Sequence, residues 1–441
     1  MKAMKSILIT QSQLHNYSGS EIVTLELAEY FSVVLNWNVT ILTHHASYPI
    51  KQEFDKLNVN IILSSSQQAR EIEAQFDKFD ILWIHHYTLT PELVKNFSKP
   101  NRKTKIIFNH MSFVEPFETM QYPAIELKIA DLILFNSFET KDKLLEHIGE
   151  TDQAKFVVFD NPAPDYFLKK TRSSSGITNI AIVSNHPPEE LVAAAEILQK
   201  INSVAVTFIG RVKDGKISRV TPEFIDKYDA IVTIGKTVQY SILLGKPVYC
   251  YDRFGGPGYL SLDNFELAHY HNFSGRGFSC MSPEKIANDI VMQHKSASSV
   301  AEALKSKYGK QFTISRKLKE VFTILETTKS SSAKIHELNP LLKHVELFTK
   351  LVPGYALYIH FARHLTEYEL EHGKRLLRER KLLKIENKDL SRDRDSLRKE
   401  VEKYKKYVKY EKHYRDAVNS KSYRIGRIVT APIRLIKNLV K

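Results

Sequence analysis

Cysteine and long apolar runs are both scarce in this chain. Its 441 residues include only two cysteines, Cys250 and Cys280, which make neither a disulfide framework nor a zinc set and are typical of a reducing compartment. No stretch reaches the roughly 20 apolar residues that span a bilayer. The apolar run in the N-terminal MKAMKSILIT is too short for a signal peptide. We therefore expect a cytoplasmic protein.

An excess of charge of either sign is lacking from most of the chain. Residues 1–340 hold 38 Lys and Arg against 37 Asp and Glu, whereas residues 341–441 hold 26 against 13. The overall hydrophobic content of 43% is enough for packed cores. The basic tail predicts an anionic partner, either a membrane surface or nucleic acid, and indicates nothing about what the neutral body binds.

Short apolar segments alternate with amphipathic segments along the body. The candidate strands up to residue 165 are SILIT, NVTILT, VNIILS, FDILWI, KIIFN, DLILFN and KFVVF. Strands that are apolar on both faces and separated by helices predict an α/β fold with a doubly wound parallel sheet. The Pro- and Ser-containing segment 162–176 predicts a linker, and a second α/β series follows it. We predict two Rossmann-like domains, 1–165 and 166–326, with a cleft between them.

Polar residues stand at the predicted carboxyl ends of the first-domain strands, where open α/β sheets bind ligands. They are Thr10, Gln11, His44, His45, His85, His86, Asn109, His110, Asn136, Ser137, Asp160 and Asn161. No carboxylate or cysteine accompanies the histidines at ligand spacing, which disfavours a metal site. We expect these residues to hydrogen-bond a substrate, although Asn136, Ser137 and Asn161 suit helix caps equally well.

The stretch Tyr228–Tyr259 carries a candidate anion site. Its pattern predicts a strand, a Gly-Lys-Thr turn, a helix, a second strand and a glycine-rich loop. Lys236 and Thr237 fall at the start of that helix, where free backbone N–H groups and the helix dipole favour a phosphate. A nucleotide triphosphatase P-loop is excluded, because Ala230 stands where that motif needs glycine. The alternative is a tight turn in which Lys236 is merely solvated.

Four local motifs point to a known family. Ser18–Glu21 reads Ser-Gly-Ser-Glu after the first strand, His110 closes the strand IIFNH, Phe159–Pro162 reads Phe-Asp-Asn-Pro, and Gly245–Val248 reads Gly-Lys-Pro-Val. With these motifs, the chain over about residues 5–326 resembles the GT-B glycosyltransferases. The resemblance is to the family-4-like enzymes of bacterial surface polysaccharide synthesis in particular.

The resemblance implies that the second domain binds a nucleotide-diphosphate sugar and that the first binds the acceptor. It implies no cofactor besides that co-substrate and no obligatory metal. An inverting reaction needs a base near the acceptor hydroxyl, for which His110 is the first candidate and Glu115 the second. A retaining reaction needs no such base, and the family-4 likeness favours retention. The implied acceptor-side residues are Gly19, Ser20, Glu21, Asn136 and Asn161.

Two features of that family are lacking. Tyr240 stands where a ribose-binding carboxylate is usual, and Ser184–Pro188 replaces the usual Arg and Lys of the second domain. We expect the glycine-rich RFGGPGYL and NFSGR segments to replace these functions. The predicted donor-binding residues are Asn185, His186, Arg211, Gly235, Lys236, Thr237, Gln239, Asp252, Arg253, Gly255, Gly256, Gly258, Tyr259 and Arg276.

The tail is predicted to be helical. Segment 327–365 combines a linker with helical patterns, and in 366–416 the leucines 376, 383, 390 and 397 repeat every seven residues. That repeat indicates either half of a coiled-coil seam, and hence a homo-oligomer, or a solvated single helix. Segment 417–441 has no acidic residue and places Ile and Val opposite Arg and Lys. It predicts a helix on an anionic membrane surface; without base-stacking aromatics, nucleic acid is the weaker alternative.

Together these features predict a metal-independent hexosyltransferase, peripheral on the inner face of the cell membrane. It would extend a glycan or lipid-linked acceptor in cell-surface polysaccharide synthesis. Two other functions stay open. One is a nucleotide-sugar epimerase of similar fold, and the other is a noncatalytic GT-B-like scaffold, which the missing ribose carboxylate favours.

Overall fold

The structure is a computed structural model of the full chain. It describes residues 4–86, 88–97, 102–114, 118–120, 122–146, 148, 155–169, 171, 176–200, 203–210, 215–328, 338, 342–343, 345–347, 401, 405, 416 and 418–419. Met1–Ile359 forms one compact unit and His360–Lys441 a second. In the second unit the described residues are helical at 401, 405, 416 and 418. The predicted coiled coil and membrane-surface helix otherwise lie outside the described residues.

The first domain is built on a parallel sheet of seven strands within the described residues. The strands are β1 Ser6–Leu14, β2 Asn38–Ala46, β3 Val59–Leu63, β4 Ile81–His85, β5 Lys105–His110, β6 Leu132–Phe135 and β7 Phe156–Val158. Their order is β3-β2-β1-β4-β5-β6-β7, and every neighbouring pair is parallel. The order reverses at β1, so the ligand crevice of such a sheet is expected beside the carboxyl ends of β1 and β4.

Helices cover this sheet. They are α1 Gly19–Glu29, α2 Lys51–Asp55, α3 Gln67–Ala74, α4 Pro91–Phe97, α5 Pro123–Ile129 and α6 Phe138–Leu145. Successive residues of a strand face opposite sides, and both sides are buried here: Ile9 and Trp83 belong to one apolar cluster, and Leu8 and Leu82 to another. A sheet buried on both faces explains why its strands are continuous apolar runs in the sequence.

Two strands of this sheet are longer than the sequence predicted. Thr10 and Gln11 do not end β1, and His44 and His45 do not end β2, because the β1–β2 ladder continues in register to Leu14 and Ala46. Thr10 and Gln11 are fully buried inside the strand. The polar pattern was therefore a poor marker of where these two strands stop.

The second domain has a five-stranded sheet in the order β12-β11-β10-β8-β9. Its strands are β8 Asn179–Val183, β9 Ala205–Ile209, β10 Ala230–Thr233, β11 Val248–Asp252 and β12 Gly255–Tyr259. Pairing is parallel except between β11 and β12. This corrects the predicted glycine-rich loop: Gly255, Gly256, Gly258 and Tyr259 form an antiparallel edge strand.

The glycines of β12 are required by close packing. A Cβ on Gly256 would lie 2.0 Å from the carbonyl oxygen of Cys250, and one on Gly255 would lie 2.3 Å from that of Ser279. Gly255 also has a φ of 107°, which side chains rarely adopt. The glycine content that suggested a ligand-binding loop is thus explained by backbone packing inside the sheet.

The helices of the second domain are α7 Glu189–Lys200, α8 Pro222–Asp226, α9 Lys236–Leu244, α10 Phe265–Tyr270, α11 Pro283–Met292, α12 His294–Tyr308 and α13 Ile314–Thr327. The last of them returns to the first domain. Phe322 of α13 stacks on Trp37, with ring centroids 5.8 Å apart, and Lys105 of β5 donates to the carbonyl of Thr328 at 3.0 Å. These two contacts join α13 and the residue that follows it to the first domain.

Candidate functional site

The main cavity lies between the two sheets, at the carboxyl ends of their parallel strands. Its volume is about 620 Å³, within the usual range for small-molecule sites. The first domain contributes the start of α1 and the residues after β5, β6 and β7, and the second contributes those after β8, β9, β10 and β11. We call this space the interdomain cavity. Neither domain alone supplies both of its walls.

The start of α9 forms part of the second-domain wall. Gly235 precedes the helix with a φ of 59° and a ψ of −133°, and a Cβ there would meet no atom within 4 Å. Lys236 and Thr237, the first residues of the helix, also line the cavity. The first N–H groups of a helix lack intrahelical acceptors, so this end is suited to an anion.

The side chain of Lys236 joins the two domains. Its Nζ lies 2.6 Å from Glu26 Oε2 of α1 and donates to the carbonyl oxygens of Pro162 and Asn161 at 2.7 and 3.3 Å. Burial lowers the pKa of Lys236 and raises that of Glu26, so the two charges depend on each other. The ammonium that was predicted to meet a phosphate is therefore engaged in an interdomain ion pair.

Tyr240 takes part in the same interdomain contact. Its hydroxyl donates to Glu26, and its ring stacks on Phe167 with centroids 4.2 Å apart. Nearby, Arg219 Nη2 lies 2.7 Å from Glu29 Oε2. The position at which the resemblance expects a ribose-binding carboxylate is thus occupied by a phenol that binds a first-domain carboxylate.

Among the described residues, two arginines line the cavity, and they differ in their contacts. Arg276 is paired across the domains with Glu139 of α6, with two nitrogens 2.7 Å from Oε2. Arg253 is exposed, and its Cζ lies 4.8 Å from the centroid of the Phe254 ring. No ion-pair partner of Arg253 occurs in the described part of the chain. Its guanidinium is therefore available to an anionic ligand.

The first-domain wall presents hydrogen-bond acceptors. Asn136 Nδ2 donates to the carbonyl of Met111 at 2.5 Å, which fixes the amide orientation and leaves Oδ1 as the second polar atom. Among the residues that the structure describes, the buried Oδ1 atoms of Asn136 and Asn161 on this wall, and of Asn272 on the second-domain side, have no partner, and all three residues line the cavity. Amide oxygens accept bonds from hydroxyl groups, so this lining suits a ligand rich in hydroxyls.

His110 lies behind this wall. Its Nε2 is 2.8 Å from Glu126 Oε2, and both side chains are buried. It lines a separate small pocket shared with His86 and Tyr122, and it is not part of the lining of the interdomain cavity. The other predicted base, Glu115, lies outside the described residues.

Glu118 is a cavity-lining carboxylate that the sequence did not reveal. Its Oε1 is 3.3 Å from His86 Nε2, and His86 Nδ1 is 2.7 Å from the Ser12 hydroxyl. Burial by itself raises the pKa of Glu118, but hydrogen bonding from His86, the charge of His86 and hydrogen bonding from Ser20 together lower it. His86 directly follows β4 and has a φ of 55°, in the left-handed region that few non-glycine residues adopt and that is enriched at functional sites.

The structure brings most of the predicted site residues together. Those that line the cavity are Gly19, Ser20, Asn136, Asn161, Asn185, His186, Gly235, Lys236, Thr237, Asp252, Arg253 and Arg276. Arg211 lies outside the described residues. Glu118 was missed because it is a lone carboxylate in an irregular segment, where no spacing marks it.

Several predicted residues have structural partners elsewhere. The carboxylate of Glu21 accepts the backbone N–H groups of His15 and Asn16, at 3.3 and 2.6 Å. Gln239 is fully buried and donates to the carbonyl of Asp160 at 2.9 Å, and the Tyr259 hydroxyl donates to Ile290. These three residues, like the β12 glycines, lie outside the cavity lining.

The described residues include neither a cluster of metal ligands nor a membrane-spanning helix. They contain no group of three or more His, Cys, Asp or Glu side chains arranged to hold a metal ion. In that same part of the chain, no helix is long and apolar enough to span a bilayer.

Solved structures of similar fold were found. The chain is similar to a glycosyltransferase from Rickettsia africae ESF-5, at 15% identity over 74% of this chain and 98% of that one, with a TM-score of 0.48. TarM is similar at 8% identity, 74% and 99% coverage and a TM-score of 0.48. The chain is also similar to the UDP-GlcNAc 2-epimerase from Neisseria meningitidis bound to UDP-GlcNAc. The identity is 12% over 74% of this chain and 100% of that one, with a TM-score of 0.44.

No family profile and no curated protein matches the chain in sequence. The architecture itself confirms the predicted fold class. Two doubly wound α/β domains face each other across a cavity at their strand ends, which is the GT-B type of fold.

Proposed function

We propose that the protein is a glycosyltransferase that moves a hexosyl group from a nucleoside diphosphate sugar to a hydroxyl of a glycan or lipid-linked acceptor. The single observation that carries this proposal is the interdomain cavity with its two unlike walls. One wall offers a helix N-terminus and an unpaired arginine, and the other offers amide oxygens and a carboxylate. A helix N-terminus and an arginine stabilise an anionic leaving group, and amide oxygens and a carboxylate can hydrogen-bond a hydroxyl acceptor.

In this proposal the diphosphate lies at the start of α9. It receives the free N–H groups of the first turn and the guanidinium of Arg253, while Lys236 holds the two domains around it. Such donors stabilise the charge that grows on the leaving diphosphate. They do so without an obligatory metal, which is part of the proposal.

The proposal also includes the tail. Residues 417–441 carry six Lys and Arg and no acid, and they would hold the enzyme on an anionic membrane beside a lipid-linked acceptor in cell-surface polysaccharide synthesis. Flotation on phosphatidylserine vesicles measures this. The full chain should float and a chain ending at Asp416 should not; equal flotation would refute the anchor.

Calorimetric titration with UDP, GDP and ADP tests the donor site. At least one should bind the full-length protein, and Arg253→Ala should weaken that binding about 10- to 100-fold, because a charge-assisted bond to phosphate contributes about 1.5–3 kcal/mol. Arg316→Ala is the matched control, since Arg316 is an exposed arginine on α13 that pairs with Glu320. Equal affinities for the two variants would rule out the assigned phosphate contact.

A further inference from the structure

We propose that Glu118 is the general base of the transfer reaction and that His86 is the residue that positions it. The inference rests on the proposed function and adds the residue that accepts the proton of the acceptor hydroxyl. It replaces His110 in that role with a residue from the cavity wall itself.

Glu118 is placed where the reaction needs a base. It lines the interdomain cavity beside Ser20 and Asn136, on the wall that faces the start of α9. An acceptor hydroxyl that hydrogen-bonds the amide oxygens of that wall would be on the same side of the cavity as the carboxylate. Geometry of this kind is the first requirement for a base.

Ionisable groups elsewhere in the described lining, Arg253 excepted, have partners of their own. Lys236 and Tyr240 contact Glu26, Arg276 contacts Glu139, and the Asp252 carboxylate accepts the backbone N–H of Phe254 at 2.8 Å. Glu118 is the one carboxylate that the first domain contributes to the described lining. Its contacts come from His86 and Ser20, so it is supported on one side and open to the cavity on the other.

Ser12 and His86 form a hydrogen-bonded pair next to the Glu118 carboxylate. Ser12 lies inside β1 and His86 directly follows the neighbouring strand β4, so the sheet places the hydroxyl beside the imidazole. The Ser12 and His86 side chains are both more than nine-tenths buried. With Nδ1 bound to the Ser12 hydroxyl, Nε2 is the ring nitrogen left to face the carboxylate. The His86 imidazole is thus held 3.3 Å from the carboxylate, a contact that orients the base.

The proposed transfer needs only the nucleotide sugar, the acceptor hydroxyl and the Glu118 carboxylate. The acceptor O–H bond breaks, its proton passes to a Glu118 carboxylate oxygen, and the oxygen forms a bond to the anomeric carbon. The bond from that carbon to the diphosphate oxygen breaks, and the diphosphate departs with the electron pair. Glu118 then returns the proton to solvent. Direct displacement of this kind inverts the anomeric configuration, in contrast to the retention that the resemblance favours.

Glu118→Gln in the full chain is the central test, with the donor that turns over in a panel of UDP-glucose, UDP-galactose, UDP-GlcNAc and GDP-mannose. The variant should bind the corresponding nucleoside diphosphate within about 3-fold of wild type and lose about 100-fold or more in kcat. Glu146→Gln, an exposed carboxylate of the first domain, should keep its activity. Formate should restore Glu118→Ala at least about 10-fold, because it supplies the missing carboxylate oxygen.

His86→Ala tests the positioning role. Its kcat should fall about 10-fold with the donor KM unchanged, and His86→Gln, which retains a donor group, should recover part of the loss. His110→Asn should keep kcat within about 3-fold. A Glu118→Gln enzyme with near-normal kcat, no formate rescue, or a product of retained configuration would overturn the inference alone. Absence of nucleoside diphosphate binding by wild type would overturn the proposed function and this inference with it.

Discussion

At the scale of single residues, the three basic residues Lys236, Arg253 and Arg276 of the described cavity lining differ in what they contact. Lys236 and Arg276 are basic and lie in the cavity lining as predicted, but their charges are satisfied by Glu26 and Glu139 of the other domain. Arg253 is also basic, but its side chain is exposed. A sequence pattern predicts where a basic residue lies along the chain. It does not predict that the partner of Lys236 is Glu26, which is 210 positions away in the sequence.

The ion pair of Lys236 predicts a large effect on stability. Lys236→Met should lower the free energy of unfolding by about 3–5 kcal/mol, because it leaves the buried Glu26 carboxylate without its counter-charge. Lys51→Met should cost no more than about 1 kcal/mol, since Lys51 and Asp55 are both about half exposed. Urea unfolding of both variants measures the difference. Equal losses would mean that the buried pair does not hold the domains together.

Glu118 illustrates the limit of sequence reasoning at this scale. His110 was the first candidate for the base of an inverting reaction, because it resembles the histidine that closes a strand in the GT-B enzymes, and it does end β5. Its imidazole, however, faces Glu126 in a separate pocket. Which side of a strand end reaches the ligand depends on the pleat and on neighbouring helices, and single-sequence patterns do not specify that.

At the scale of elements, strands with apolar side chains were predictable and the glycine strand was not. β4 and β6 are runs of buried apolar residues, so both their existence and their type follow from composition. β12 contains three glycines and a proline in five residues, a composition typical of loops. It is a strand because its glycines let it approach Cys250 and Ser279 closely. This constraint is tertiary and leaves no local signal.

The packing of β12 predicts contrasting effects for two glycines. Gly256→Ala should destabilise the protein by about 1–3 kcal/mol, because its Cβ would overlap the Cys250 carbonyl. Gly19→Ala should leave stability unchanged or raise it by up to about 1 kcal/mol, because it begins α1 and a Cβ there meets nothing within 4 Å. Thermal unfolding of the two variants compares them. A destabilised Gly19→Ala or a neutral Gly256→Ala would contradict this account of the edge strand.

At the scale of the whole molecule, the two-domain α/β fold followed from the alternation of strands and helices. The cavity between the domains also followed, because parallel strands of both sheets end there. What did not follow is how the domains are held together. Glu26 with Lys236, Glu139 with Arg276, and Trp37 with Phe322 are contacts over long sequence separations.

The central claim is that this cavity transfers a sugar from a nucleoside diphosphate. The most direct measurement is the release of nucleoside diphosphate by the full-length protein from UDP-glucose, UDP-galactose, UDP-GlcNAc and GDP-mannose, with water and octyl glycosides as acceptors. The account predicts release from at least one donor, slower in Arg253→Ala and unchanged in Arg316→Ala. No release from any donor, or epimerisation of the sugar while it stays attached to its nucleotide, would contradict it.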